Sequence, residues 1–272
     1  MKISFWSNGK GPSCVSANLA AVSIICAIAY PYTITIMENH ISSNNLGQAF
    51  FSDKILKLVK ERGFYYEGCG IEGLLRKIYR GEFVKKDIDY YRKDIIRNHL
   101  YYLPQGKIIH NNTFSHELYI NSLSFFYILE ESTDILFIDT AKNNISTNNI
   151  LEESDLIVVN LLHNRDIHED FFRYNSYLKK KAVFLVGKSP YKKTLFSRKI
   201  SKKNKISAEQ IVEIPYNAEF KEALHSGRLV EFILSNYQCS RKGYNYLFIQ
   251  SLKRAAEMII SRTLQLRKTG IL

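Results

Sequence analysis

No linker divides this chain of 272 residues. It has five prolines and thirteen glycines, and nowhere do they gather into a Pro/Gly-rich or low-complexity stretch. No internal repeat is visible, so residues 1–272 read as a single domain, at a length where α/β folds often remain undivided. Cysteine is scarce: Cys14, Cys26, Cys69 and Cys239 stand far apart, without metal-ligand spacing. No metal site is expected from them, and a core of this size needs no disulfide, which suits reduced thiols in a cytoplasmic protein. A membrane-spanning run is missing too. The apolar stretch Leu19–Tyr30 is too short to cross a bilayer. It follows Lys2 and Lys10 and ends near Ala27-Ile28-Ala29, like a secretory leader, but Ser16, Asn18 and Ser23 and the strand-like runs on either side favour a buried first helix.

Acids are absent from one long stretch. Lys179–Lys205 holds eleven Lys/Arg and no Asp or Glu, and so supplies most of the net charge of +12. From Arg241 to Leu272 seven more basic residues face one acid, Glu257. Such clusters suit an acidic partner (nucleic acid, anionic lipid or an acidic protein surface) or form a solvated basic loop.

What remains is ordinary globular material, with 46% hydrophobic and 24% charged residues. Strands are expected at Lys2–Trp6, Tyr32–Met37, His99–Leu103, Asp134–Asp139, Asp155–Leu161, Lys181–Gly187 and Ile211–Ile214. Ile135-Leu136-Phe137-Ile138 and Leu156-Ile157-Val158-Val159 are continuously apolar, which marks strands buried on both faces of a parallel sheet. Helices are expected at Val15–Ala29, Gly47–Lys60, Ile71–Tyr79, Phe114–Glu131, Ile167–Lys179 and Phe220–Ser235, with a last one over about Tyr244–Leu266. This β-then-α order predicts an α/β, doubly wound, mostly parallel sheet of about seven strands with helices on both faces. Ligands of such sheets bind beyond the carboxyl ends of the strands. The loops to inspect are Ser7–Ser16, Glu38–Leu46, Asp139–Asn144 and Pro215–Asn217.

The first loop runs from strand to helix through Gly9-Lys10-Gly11-Pro12-Ser13-Cys14-Val15-Ser16. A working phosphate loop needs backbone amides aimed at the phosphates, a lysine for the β/γ oxygens and a Ser/Thr hydroxyl for Mg²⁺. Aligned from Lys10-Gly11, this loop places Val15-Ser16 where the Lys-Thr pair should stand. Aligned backwards from Asn18-Leu19-Ala20, it places Pro12-Ser13 there. Either register supplies a hydroxyl and neither supplies the lysine, while Pro12 removes one N–H donor. The amides still suit an anion, with Lys10 as a compensating charge. The alternative is a Gly-containing turn that binds nothing.

Trp6-Ser7, this loop and Ala17-Asn18-Leu19-Ala20 resemble the start of ParA/MinD-type deviant Walker ATPases. The resemblance is nearer still to TadZ/CpaE-type proteins, which carry atypical versions of the loop. It continues at Glu38-Asn39-His40-Ile41-Ser42-Ser43-Asn44-Asn45-Leu46, Gly70-Ile71-Glu72-Gly73-Leu74-Leu75-Arg76, Asp155–Leu161 and Ile214–Phe220, and so runs over nearly the whole chain. It implies a P-loop NTPase-like fold and a nucleotide site for ATP or ADP at Gly9, Lys10, Gly11, Ser13, Cys14, Val15 and Ser16, with Pro215 and Asn217 beside the adenine. It also implies that Asp139 orients Mg²⁺ or its water shell. The family's Asp-x-Asp pattern is met by Glu38 and His40. Glu38 replaces one carboxylate, but His40 is a poor Mg²⁺ ligand, which puts both the metal and water activation in doubt. Plainer roles exist: Asp139 as a strand-ending turn residue, His40 as an exposed turn residue, Asn217 as a helix cap.

In the last helix, Tyr246, Ile249, Leu252, Ala256, Ile259, Thr263 and Leu266 form an apolar stripe. It suits packing on the sheet better than membrane contact, since aromatic anchors stand only at its start. The resulting expectation is a cytoplasmic, homodimeric positioning or scaffold protein of pilus or secretion machinery, at most peripheral to the membrane, with little or no ATP hydrolysis. The competing expectations are a divergent DNA-segregating ATPase and a nucleotide-free interaction module.

Overall fold

The computed structural model describes residues 1–9, 14–41, 45–52, 55, 70–82, 87–106, 110–162, 165–189 and 196–268. Eight strands form one sheet: β1 (Lys2–Trp6), β2 (Ile34–Glu38), β3 (Lys93–Ile96), β4 (Leu100–Tyr102), β5 (Ile135–Asp139), β6 (Leu156–Leu162), β7 (Ala182–Ser189) and β8 (Ile211–Pro215). Their order is β3-β4-β2-β5-β1-β6-β7-β8. All neighbours are parallel except β3 and β4. The helices are α1 (Val15–Ala29), α2 (Gly70–Tyr79), α3 (Ile88–Tyr91), α4 (Asn111–Ile120), α5 (Ser122–Ser132), α6 (Thr147–Glu153), α7 (Arg165–Tyr174), α8 (Phe196–Asn204), α9 (Ala218–His225), α10 (Leu229–Asn236) and α11 (Tyr246–Lys268).

Alternation along the strands divides the core. Ile3, Phe5, Ile135, Phe137, Leu156 and Val158 face α1, α10 and α11. Leu136 and Ile138 face α2, α4 and α5, while Ile157 and Val159 face α7 and α8. Since both sheet faces are covered, the central strands carry no polar face. Every residue from Asn18 to Ala27 is buried, so α1 is apolar all round because its outer side is covered by α11. Burying one Leu or Ile this way contributes roughly 1.5–3 kcal/mol. The helix stops at Tyr30, extended at φ −132° and ψ 148°, as the residue before Pro31 must be. Among the described residues no helix is long and apolar enough to cross a membrane.

The stripe on α11 is spent on packing: Ile249, Leu252, Ala256, Ile259, Thr263 and Leu266 are buried against the sheet and α1. Other expectations need correction. The sheet has eight strands rather than about seven. The extra one, β3, is a partly exposed edge strand whose Lys93 and Asp94 hide its pairing with β4. The helix expected at Gly47–Lys60 opens as a 3-10 turn, Leu46–Ala49, capped by Asn45 Oδ1, and leaves helical structure at Phe50–Ser52. Residues 53–54 and 56–60 lie outside the described residues. Phe114–Glu131 is two helices, α4 and α5, parted at Asn121, whose amide donates to the Glu117 carbonyl. Phe220–Ser235 breaks at Gly227, at φ 69°. A Cβ there would lie 2.6 Å from the Phe51 carbonyl group, so the chain turns where only glycine fits. Ile167–Lys179 ends as α7 at Tyr174 and continues as a 3-10 turn, Ser176–Lys181.

Candidate functional site

A cavity of about 550 Å³ opens at the carboxyl ends of β1, β2 and β5. Three of the four loops singled out in the sequence line it, through Ser7, Gly9, Cys14, Val15 and Ser16, through His40, Ile41, Asn45 and Leu46, and through Asp139–Lys142. Lys10, Gly11, Pro12 and Ser13 lie outside the described residues. Cys14 precedes α1 at φ 60°, and α1 has neither a capping side chain nor an acid in its first turn. Its amino end, through Cys14, Val15, Ser16 and Ala17, lines the cavity, and a helix amino end is suited to an anion. Gly187 makes room for this turn, since a Cβ there would stand 3.3 Å from that of Cys14. One turn further on, Asn18 Nδ2 donates to Asn160 Oδ1 at 2.7 Å, pinning α1 to β6 beneath the cavity.

Glu38 and Asp139 end neighbouring strands in direct register. Their side chains are used differently. Glu38 is fully buried, and both carboxylate oxygens are occupied: Oε1 accepts from the Leu46 amide, and Oε2 from Tyr102 Oη at 3.2 Å and Gln105 Nε2 at 2.9 Å. Burial pushes its pKa up to about 7, against the opposing pull of His40. Asp139 is 2% exposed, with Oδ1 lying 3.4 Å from His40 Nε2 and Oδ2 without a hydrogen-bond partner. For His40, burial works against the charged form, yet the Asp139 and Glu38 carboxylates prevail and its pKa is raised. Gln105 also donates to the His40 carbonyl, so a single amide fixes the positions of Glu38 and His40.

Asn39 straps the two loops together. Its Oδ1 accepts from the Ala141 amide at 2.6 Å, its Nδ2 donates to Ser146 Oγ at 3.2 Å, and its carbonyl accepts from Asn144 Nδ2 at 2.8 Å. This network holds Lys142 at the cavity wall, where the Lys142 carbonyl also accepts from Trp6 Nε1 at 3.3 Å. Sequence reasoning passed over Lys142, Asn111 and His225. The signal for Lys142 was its place three residues after the strand-ending Asp139.

Pro215 and Asn217 do not line the cavity; from their side Leu224 and His225 of α9 reach it. Asn217 is buried, its Oδ1 capping α9 through the Phe220 amide at 2.7 Å and its Nδ2 donating to Asn245 Oδ1 at 2.7 Å.

Mg²⁺ at a phosphate site keeps several waters and takes one or two carboxylates beside the phosphate oxygens. Here an imidazole already stands 3.4 Å from Oδ1 of Asp139, the acid that lines the cavity among the described residues, so the donors are a poor fit for that ion. Among the described residues no three His, Cys, Asp or Glu side chains converge. Glu38 is wholly engaged, and the imidazole beside Asp139 is not a magnesium ligand.

The mostly parallel sheet, with a cavity over the amino end of its first helix, is an α/β fold of the P-loop NTPase-like kind. Solved structures of ParA and MinD proteins share the fold over almost the whole chain. The ParA family ATPase from Chlorobium tepidum TLS matches with a TM-score of 0.65 at 13% identity, over 94% of this chain and 98% of that one. The cell division ATPase MinD of Pyrococcus furiosus matches with a TM-score of 0.64 at 12% identity, over 95% and 98%. A putative plasmid partition protein from Borrelia burgdorferi B31, bound to AMPPNP, matches with a TM-score of 0.61 at 14% identity, over 96% and 98%. No protein-family model matches the chain, and no curated protein matches it in sequence.

Proposed function

We propose that this chain is a ParA/MinD-like positioning or scaffold protein that binds ATP or ADP in the cavity and hydrolyses ATP weakly or not at all. The observation that carries this reading is the engagement of Glu38. The acid that stands for the first carboxylate of the family's pair has given both oxygens to Leu46, Tyr102 and Gln105. The second position holds His40, so neither position of that pair offers a free carboxylate to orient an attacking water. Losing such a group typically costs orders of magnitude in rate. The phosphates rest on the loop that includes Gly9, Lys10, Gly11, Ser13 and Cys14, and on the α1 amides at Val15 and Ser16, with Lys142 facing them. The base lies toward Leu224 and His225, on the side of the cavity nearest the loop of Pro215 and Asn217.

The neighbours' names, a cell division ATPase and a plasmid partition protein, support a positioning role. The finer assignment, to the assembly or placement of a pilus or secretion apparatus by a cytoplasmic homodimer, rests on the loop resemblance to TadZ/CpaE-type proteins. Calorimetric titration with ATP and ADP, paired with steady-state phosphate release, tests the reading. Binding with negligible turnover supports it. Turnover at the rate of an ordinary ParA enzyme overturns it, and failure to bind either nucleotide leaves the inert interaction module.

One observation favours a second reading, that of a DNA-segregating protein. Arg198, Lys199, Lys202 and Lys205 lie exposed on and just after α8. Salt-sensitive binding to duplex DNA, lost when Lys199, Lys202 and Lys205 become glutamate, is its signature. Binding indifferent to those changes removes it.

A further inference from the structure

The disagreement between the cavity and Mg²⁺ points to a specific substitution at its floor. His40 follows directly on the end of β2 and reaches across to β5, where its Nε2 lies 3.4 Å from Asp139 Oδ1. That carboxylate oxygen is one of only two that Asp139 has to offer, and the other, Oδ2, is buried without a hydrogen-bond partner. The imidazole is not loosely placed. Gln105 holds its main chain through the His40 carbonyl, while the same Gln105 amide holds Glu38 out of reach. His40 is largely buried, at 19% side-chain exposure, and still lines the cavity. A hydrated divalent ion needs the space in front of Asp139 together with oxygen donors around it. Here a nitrogen donor occupies one side of that carboxylate, and the neighbouring acid, Glu38, is engaged elsewhere.

We propose that His40 takes the place of the divalent cation at Asp139, so that the cavity holds the phosphates of a nucleotide without Mg²⁺. The inference rests on the cavity being a nucleotide site. It adds that the chain's own N–H groups, the α1 amides and the His40 ring, take the place of the metal and its waters.

The test is calorimetric titration of the full chain with ADP and with ATP, once in excess magnesium and once in EDTA, beside the same titrations of His40→Asp. Expected for the natural chain is a Kd that differs by less than about threefold between the two media. His40→Asp restores an acid at the second position of the Asp-x-Asp pattern and removes the competing ring. Its binding is expected to become at least about tenfold tighter in magnesium than in EDTA. Should His40→Asp not fold, as read by its thermal transition, His40→Asn removes the ring without adding charge and is expected to show the same gain in metal dependence. Nucleotide bound by the natural chain only in magnesium overturns the proposal and leaves the nucleotide site standing. Variants as indifferent to magnesium as the natural chain also overturn it. No binding by the natural chain in either medium overturns the nucleotide site, and the proposal with it.

Discussion

The ends of β2 and β5 carry acids side by side, Glu38 opposite Asp139, and the fold treats them in opposite ways. The β2 end is turned into structure: Glu38 gathers a main-chain amide, a tyrosine hydroxyl and a glutamine amide, and anchors the loop that begins the 3-10 turn at Leu46. The β5 end keeps a carboxylate oxygen without a partner beside the cavity. The difference teaches that a carboxylate at the place expected for a catalytic acid is not thereby available for chemistry. Availability depends on how many buried donors it must satisfy, because a buried donor left without an acceptor costs about 1–3 kcal/mol.

The comparison breaks most visibly at Glu38. Glu38→Ala strands the Leu46 amide, the Tyr102 hydroxyl and the Gln105 amide, and is expected to lower unfolding free energy by about 3–4 kcal/mol in denaturant titration. A loss below about 1 kcal/mol would show that the acid is not structural after all.

Acidity sharpens the contrast. The fold raises the pKa of Glu38 from 4.5 to about 7 and also raises that of His40 above 6.5. Both groups therefore hold protons more tightly in the folded chain than in the unfolded one. The cost of ionising buried Glu38 sets in above pH 4.5 and is complete above about 7. The stabilisation from charged His40, present below 6.5, is lost as pH rises through its raised value. Unfolding free energy is thus expected to fall by about 2–3 kcal/mol from pH 5 to pH 8, and Glu38→Gln to remove most of that slope. A profile equally steep in the variant would assign the slope to other groups.

Smaller effects separate the two strand ends further. Asn39→Ala cuts the strap between the loops and is expected to cost about 2 kcal/mol, since the half-buried Ala141 amide loses its acceptor and the other bonds of the buried Asn39 side chain go with it. Asp139→Asn is expected to change stability by less than about 1 kcal/mol, because Oδ2 satisfies no donor. A loss as large as that of Glu38→Ala would mean that both acids are structural.

How far the sequence told this depends on where each residue's partners lie. β1 and α1 were legible to the residue, because continuous apolar runs bounded by Ser7 and Pro31 admit few other arrangements. β3 was not, since an edge strand can spend Lys93 and Asp94 on solvent, and α8 was hidden by its lysines around buried Ile200. α4 and α5 share one apolar period across Asn121, so only the backbone shows the break. Three of the four candidate loops meet at the cavity. Pro215 and Asn217 do not, since the bond from Asn217 to Asn245 across 28 residues leaves no local pattern. The contact between His40 and Asp139 bridges 99 positions, and was visible beforehand only as a histidine standing where the family's pattern has an acid.

The most direct test is an electron-density map of crystals grown with ATP and magnesium. The account predicts phosphates on the amino end of α1, with Glu38 still bonded to Leu46, Tyr102 and Gln105. A magnesium-bound triphosphate with Glu38 swung out to orient a water would contradict it.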